Sequence, residues 1–123
     1  MKRGTKKRKK NNQRKKRNPP HHILPRSRGG SDDEFNKIYP PLDLHVQYHI
    51  LFENWIQKEI IEKLRAFWRD NDKGMSRHFN KPNRKKAYKI LFDNKGNNEV
   101  EEYLEVVWFN PITSSYGIFR EDP

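Results

Sequence analysis

The sequence predicts a mostly helical α+β protein of one small domain, and three observations carry that expectation. Apolar residues in its second half recur at helical spacing, the stretch that shows this spacing occurs twice, and the charge is divided sharply between an arm and a neutral body. Residues 1–17 hold eleven of the 27 Lys+Arg and no acid, so only residues 18–123 are left to fold. In that body basic and acidic residues balance, and the formal charge of +11 belongs to the arm. Hydrophobic residues at 32% give a modest core, in which the 12% of aromatic residues make each buried position count for more.

The arm comes first. Lys6, Lys7, Arg8, Lys9, Lys10, Arg14, Lys15, Lys16 and Arg17 repel one another and bring no apolar surface to offset the entropy of ordering, so residues 1–17 are expected to be disordered when free. Such an arm suits a polyanion, because each cation placed on a phosphate releases condensed counterions, giving sequence-blind, salt-sensitive binding. Zero cysteine excludes disulfides and a thiol nucleophile. No apolar run approaches a membrane span, and the basic N-terminus lacks the apolar stretch of a secretory signal, so a cytoplasmic protein without a membrane partner is expected.

The helical body is a duplication. A shift of forty residues lays Tyr48-His-Ile-Leu-Phe-Glu-Asn54 over Tyr88-Lys-Ile-Leu-Phe-Asp-Asn94, and Glu59, Glu62, Leu64 and Trp68 over Glu99, Glu102, Leu104 and Trp108. Nine of the 21 positions from 48 to 68 are identical. Each copy reads as helix, short turn, helix, with turns near Asn54 and at 94–98. The first helix is placed at about 41–53, with Pro41 at its first position and Asp43 near the positive end of its dipole. The second copy is expected to run Arg84 to Phe92 and Asn98 to Phe109, with Asp70 to Pro82 as a polar linker and Ile112 to Phe119 open between strand and loop. Trp55, Trp68 and Trp108 are assigned to the helical core rather than to base stacking, and His78 to the surface.

The duplication is also an internal control. His45 and His49 fall over Lys85 and Lys89, so the helix pair is built in copy two without imidazoles there. Packing alone does not explain those two histidines. They stand at i and i+4 on one helix face, a spacing that presents two imidazole nitrogens to a single metal. His21 and His22 supply a possible third ligand, although neighbours in a strand point to opposite sides unless the backbone bends.

Taken together, His21-His-Ile-Leu-Pro-Arg-Ser-Arg-Gly-Gly30, Asn36 and His45-x-x-x-His49 resemble the HNH nuclease motif, the ββα-metal finger, over roughly residues 18–54. The resemblance implies strands at His21 to Pro25 and Asn36 to Tyr39, a loop from Arg26 to Phe35 in which Gly29 and Gly30 are free to take positive φ, and a helix, together clasping one divalent cation. It makes His21, His45 and His49 the metal ligands and His22 the general base, with Asn36 pinning the loop that holds His22. A backbone carbonyl on the other ring nitrogen of His22 would fix its tautomer. Lys37 stands where the family usually has an apolar residue, which implies a more exposed second strand. Arg26 and Arg28, four and six residues beyond His22, are placed to reach a phosphate. Three imidazoles suit zinc, nickel, cobalt or manganese, while family members also run on magnesium.

The full expectation is a disordered basic arm (1–17), an HNH finger (18–54) and a helical extension (55–123), acting as a metal-dependent endonuclease of slight sequence specificity on nucleic acid, DNA ahead of RNA. The rivals are a catalytically silent nucleic-acid-binding or ribosome-associated protein with a structural finger, and an interaction protein whose repeats dock a partner. Oligomeric state is left open.

Overall fold

The computed structural model describes residues 18–69 and 73–119. The arm, with every cation assigned to it, lies outside the described residues. Within them the chain is mostly helical with one small antiparallel sheet. Strand β1 (His21–His22) pairs with β2 (Lys37–Ile38), in the register His21 to Ile38 and His22 to Lys37. Both strands are shorter than expected: Leu24 and Pro25 turn away, and Asn36 closes a 3-10 turn, Glu34–Asn36. Two strands this short do not hold together by their own ladder. Asn36 joins them instead, its Oδ1 accepting from Leu24 N–H (2.8 Å), while its Nδ2 donates to the carbonyls of Leu24 (3.0 Å) and Ser31 (2.8 Å).

The loop between the strands shows why two glycines stand together. Gly29 takes φ 98° after the turn Arg26–Arg28, a conformation that side chains resist. Gly30 has no positive φ, and its reason is space: a Cβ there would sit 1.8 Å from the Leu24 carbonyl oxygen.

Helix α1 (Leu42–Phe52) follows with Pro41 as its N-cap rather than its first residue. Helix α2 (Gln57–Arg69) completes copy one. Copy two repeats the pair as α4 (Pro82–Phe92), with proline now inside the first turn, and α5 (Asn97–Tyr103), which runs on into a π turn, Leu104–Trp108. The offset of forty residues is kept to the residue by α1 and α4. Two of the retained acids are explained by capping, since Glu59 Oε1 accepts from Ile56 N–H at 3.0 Å and Glu99 Oε1 from Gly96 N–H at 2.7 Å.

The linker is a correction. Lys73–Phe79 forms helix α3, whose Phe79 is buried and whose His78 reaches back to α1. His78 is therefore half-buried and not a free surface histidine: its Nε2 donates to the carbonyl of Leu51 at 2.9 Å. The tail after Asn110 is a series of turns, tied to the region of the two strands by Tyr39 N–H to Tyr116 O at 2.8 Å and by Phe35 stacked on Phe119.

The core is one cluster that crosses the boundary expected at residue 54. Leu51 and Phe52 of copy one meet their equivalents Leu91 and Phe92, with Ile60, Leu64, Val100 and Leu104 beneath and Ile23 and Ile38 from the strands. No helix pair packs more extensively than α1 with α4. Trp108 is fully buried, while Trp55 and Trp68 are half-buried. Among the described residues no helix is long and apolar enough to cross a membrane.

Candidate metal centre

Strand β1 sends His21 inward and α1 sends His45 and His49 to meet it. One ring nitrogen from each of the three lies within 4.8 Å of the others. Ring centroids are 5.2 Å apart for His21 with either partner and 4.9 Å for His45 with His49. Tetrahedral coordination at zinc–nitrogen distances would draw the three nitrogens to about 3.4 Å from one another, a small rotation of the rings.

His21 is the most deeply buried member of this cluster. It is 2% exposed, and among the described residues neither of its ring nitrogens has a hydrogen-bond partner. A buried imidazole with two idle nitrogens is costly unless something else engages one of them. Its walls are aromatic: Tyr48 and Trp108 stack on each other at 4.4 Å, and both meet the His21 ring edge-on. Burial, followed by its three histidine neighbours His49, His45 and His22, holds the His21 pKa well below the ordinary imidazole value. Burial, then His49 and His22, lowers His45 to about 4. Both rings are thus kept neutral, the state in which imidazole binds a metal. The third ring is oriented by its backbone, since His49 Nδ1 donates to the carbonyl of Glu53 at 3.0 Å, which leaves Nε2 with its lone pair. The group can hold a metal ion, and its donor set of neutral nitrogens fits zinc, nickel, cobalt or manganese better than magnesium.

His22 faces a cleft of about 240 Å³ that it lines together with His45, His49, Arg26, Pro25 and Asn54. The expected backbone carbonyl on its ring is replaced by a carboxylate: Asp32 Oδ1 lies 3.0 Å from His22 Nε2. A carboxylate accepts, so Nε2 carries the proton and Nδ1 the lone pair. Lys37 Nζ, 3.2 Å from the same oxygen, holds Asp32 in place; its side chain is 11% exposed rather than displayed to solvent. Hydrogen bonds from His22 and then Lys37 hold the Asp32 carboxyl below its usual range. Lys37 therefore has a reason to stand opposite His22 in the register.

The two loop arginines part company. Arg26 is exposed and lines the cleft. Arg28 turns away from it, with Nη1 2.9 Å and Nη2 3.0 Å from the two carboxylate oxygens of Glu59, and Nη1 also on the carbonyl of Asn54 at 3.2 Å. Its donors clamp the loop to α2, which leaves Arg26 as the loop arginine that lines the cleft. Asn36 touches no ring nitrogen of the centre and acts through the loop.

Asp32, Glu53, Tyr48 and Trp108 were not among the expected site residues. Asp32 sits among Asp33 and Glu34 with nothing in sequence to single it out. Trp108 reaches the centre because the π turn swings it inward, whereas its twin Trp68 stays half-exposed and donates to Tyr88 Oη at 3.1 Å. Comparison with protein-family models, curated proteins and solved structures returned no match.

Proposed function

We propose that residues 18–54 form an HNH-type ββα-metal finger and that the chain is a metal-dependent endonuclease acting on nucleic acid, DNA ahead of RNA. The observation that carries this reading is the buried, unpartnered His21 facing His45 and His49, with the His22–Asp32 pair in the adjoining cleft. A divalent cation held by the three histidines would supply Lewis-acid stabilisation of charge developing on phosphorus and on the departing 3′ oxygen. His22 takes a proton from a water at Nδ1 while its Nε2–H stays on Asp32, which steadies the imidazolium that forms. The water oxygen bonds to phosphorus as the bond to the 3′ oxygen breaks and that oxygen takes up a proton from solvent, leaving a 5′-phosphate and a 3′-hydroxyl. Arg26, exposed in the loop and lining the cleft, faces the phosphate. The arm adds sequence-blind affinity.

The test is nicking of supercoiled plasmid in zinc, nickel, manganese or magnesium. His22→Ala should slow it by about 10²–10⁴-fold, the usual contribution of a general base. Equal activity in that variant would refute the assignment. One observation favours a silent finger: Arg28 is committed to Glu59, which leaves the cleft with a single loop cation. Metal binding without nicking at any metal would select that reading.

A further inference from the structure

Helices α1 and α4 both end in a four-residue turn. It is sealed by Trp55 N–H to Phe52 O at 3.0 Å in copy one and by Lys95 N–H to Phe92 O at 3.1 Å in copy two. The two turns are mirror images. In copy two Asp93 takes φ −53°, ψ 132°, and Asn94 carries the positive φ of 63°, as a type II turn requires. In copy one the positive φ falls on Glu53, at φ 53°, ψ −126°, a conformation that normally belongs to glycine. Asn54 stands where Asn94 does and is just as able to accept a positive φ. Closing the helix therefore did not require strain at Glu53.

The turns themselves differ at Glu53 over Asp93 and Trp55 over Lys95, and four positions before the strained residue His49 stands over Lys89. Inverting the turn reverses the side to which its first central carbonyl points. In copy one that carbonyl, Glu53 O, accepts from His49 Nδ1. Lys89 has no tautomer to set, and its copy has no strained residue at position 93. We infer that the backbone of Glu53 is a positioning element of the metal centre: its left-handed conformation selects the Nδ1–H tautomer of His49 and so aims Nε2 at His21 and His45. Strain that persists beside a site and is missing from the twin without one is the pattern expected of a functional constraint. The side chain is directed elsewhere, its carboxylate facing Arg84 at 3.7 Å, and Glu53→Gly below separates that pair from the backbone.

The inference rests on the histidines being a metal site, and its test separates the two. Nitrogen-15 spectra of the metal-free protein at about pH 8, above the ordinary imidazole pKa, read the tautomer directly and should show His49 protonated at Nδ1. An Nε2–H tautomer there overturns the inference whatever any variant does. The paired change Glu53→Val, Asn54→Gly disfavours positive φ at the first position and welcomes it at the second, which imposes the copy-two turn. It should shift His49 towards Nε2–H and weaken zinc binding by about 10–100-fold, the usual effect of losing such a supporting contact. Glu53→Gly keeps the turn and should keep both properties, and Asp93→Val with Asn94→Gly should move neither. A flipped turn that leaves tautomer and zinc affinity as in the unaltered protein refutes the positioning role and assigns the turn to the Arg28–Asn54 contact. If the unaltered protein binds none of zinc, nickel, cobalt or manganese, the metal reading fails while the tautomer measurement still stands.

Discussion

Replacing His21 with leucine should stabilise the metal-free protein, the opposite of what removing a core residue normally does. His21 is buried with both ring nitrogens unpartnered, and each unsatisfied buried polar group costs about 1–3 kcal/mol. Leucine removes both groups at similar volume, with a repacking cost of up to about 1.5 kcal/mol against Tyr48 and Trp108. The balance favours His21→Leu by roughly 0.5–6 kcal/mol in chelator, and for a domain of about 100 residues each kcal/mol raises Tm by about 5 °C. Metal should act in the opposite direction and narrow the difference or reverse it. At a free zinc concentration 100 times Kd the unaltered protein gains about 2.7 kcal/mol, while the variant, with two imidazoles left, gains little. The assay is thermal unfolding followed by circular dichroism, with EDTA and then with zinc, nickel, manganese or magnesium. A variant less stable than the unaltered protein in EDTA, together with a Tm that no metal moves, would show that His21 is an ordinary core residue.

Three further outcomes follow from the same geometry. Arg28→Met should destabilise the protein at neutral pH, with the difference shrinking on acidification: Arg28 and then Ile56 N–H depress Glu59 to about 2, so the stabilisation is present above the unfolded value near 4.5 and is lost as pH falls towards 2, which urea titrations at pH 7 and 3 would reveal. Trp108→Ala should cost roughly 3–5 kcal/mol and weaken zinc binding as well, because the indole walls His21; calorimetry with and without zinc separates the two effects, and an unchanged affinity would dismiss the second. Asp32→Asn should leave zinc affinity and Tm nearly unchanged while lowering nicking about tenfold, since the amide keeps an acceptor for Nε2 but no charge for the imidazolium; nicking at the original rate would remove Asp32 from the mechanism.

The helical half was legible because its determinants are local. Apolar spacing, prolines and turn residues placed α1, α4 and α5 to within a few residues and put α2 after the turn near Asn54, and the repeat gave each helix a second witness. Helix α3 was hidden because Gly74 and Ser76 are poor helix formers and only Met75 and Phe79 mark an apolar face. Burial of Phe79 and the His78–Leu51 bond make it, and both are tertiary. The strands were overdrawn for a related reason: Asn36 side-chain bonds, not a ladder, join the segments, and such bonds have no periodicity to read. At the centre, His21, His45 and His49 were readable as a set. Their supports were not, since Asp32, the Glu53 carbonyl and Trp108 act through a loop, a turn and a π turn whose shapes no residue type announces.

The histidines also argue among themselves about what they are for. Three of the five have a ring nitrogen on an acceptor: His22 on Asp32, His49 on Glu53 O and His78 on Leu51 O. In each case the bond fixes a tautomer and leaves the other nitrogen with a lone pair. His78 spends that arrangement on joining two helices, as a structural histidine does. His21 has no such bond and is the most deeply buried of the five, which is the worst place for an imidazole kept only for packing; the same scaffold closes its second copy with lysines at the positions of His45 and His49. A cluster selected for stability alone would have replaced His21 with an apolar residue long before it strained Glu53 to orient His49. The burial of His21 and the strain at Glu53 both cost stability in the metal-free protein, and a cation held by His21, His45 and His49 would turn both into support.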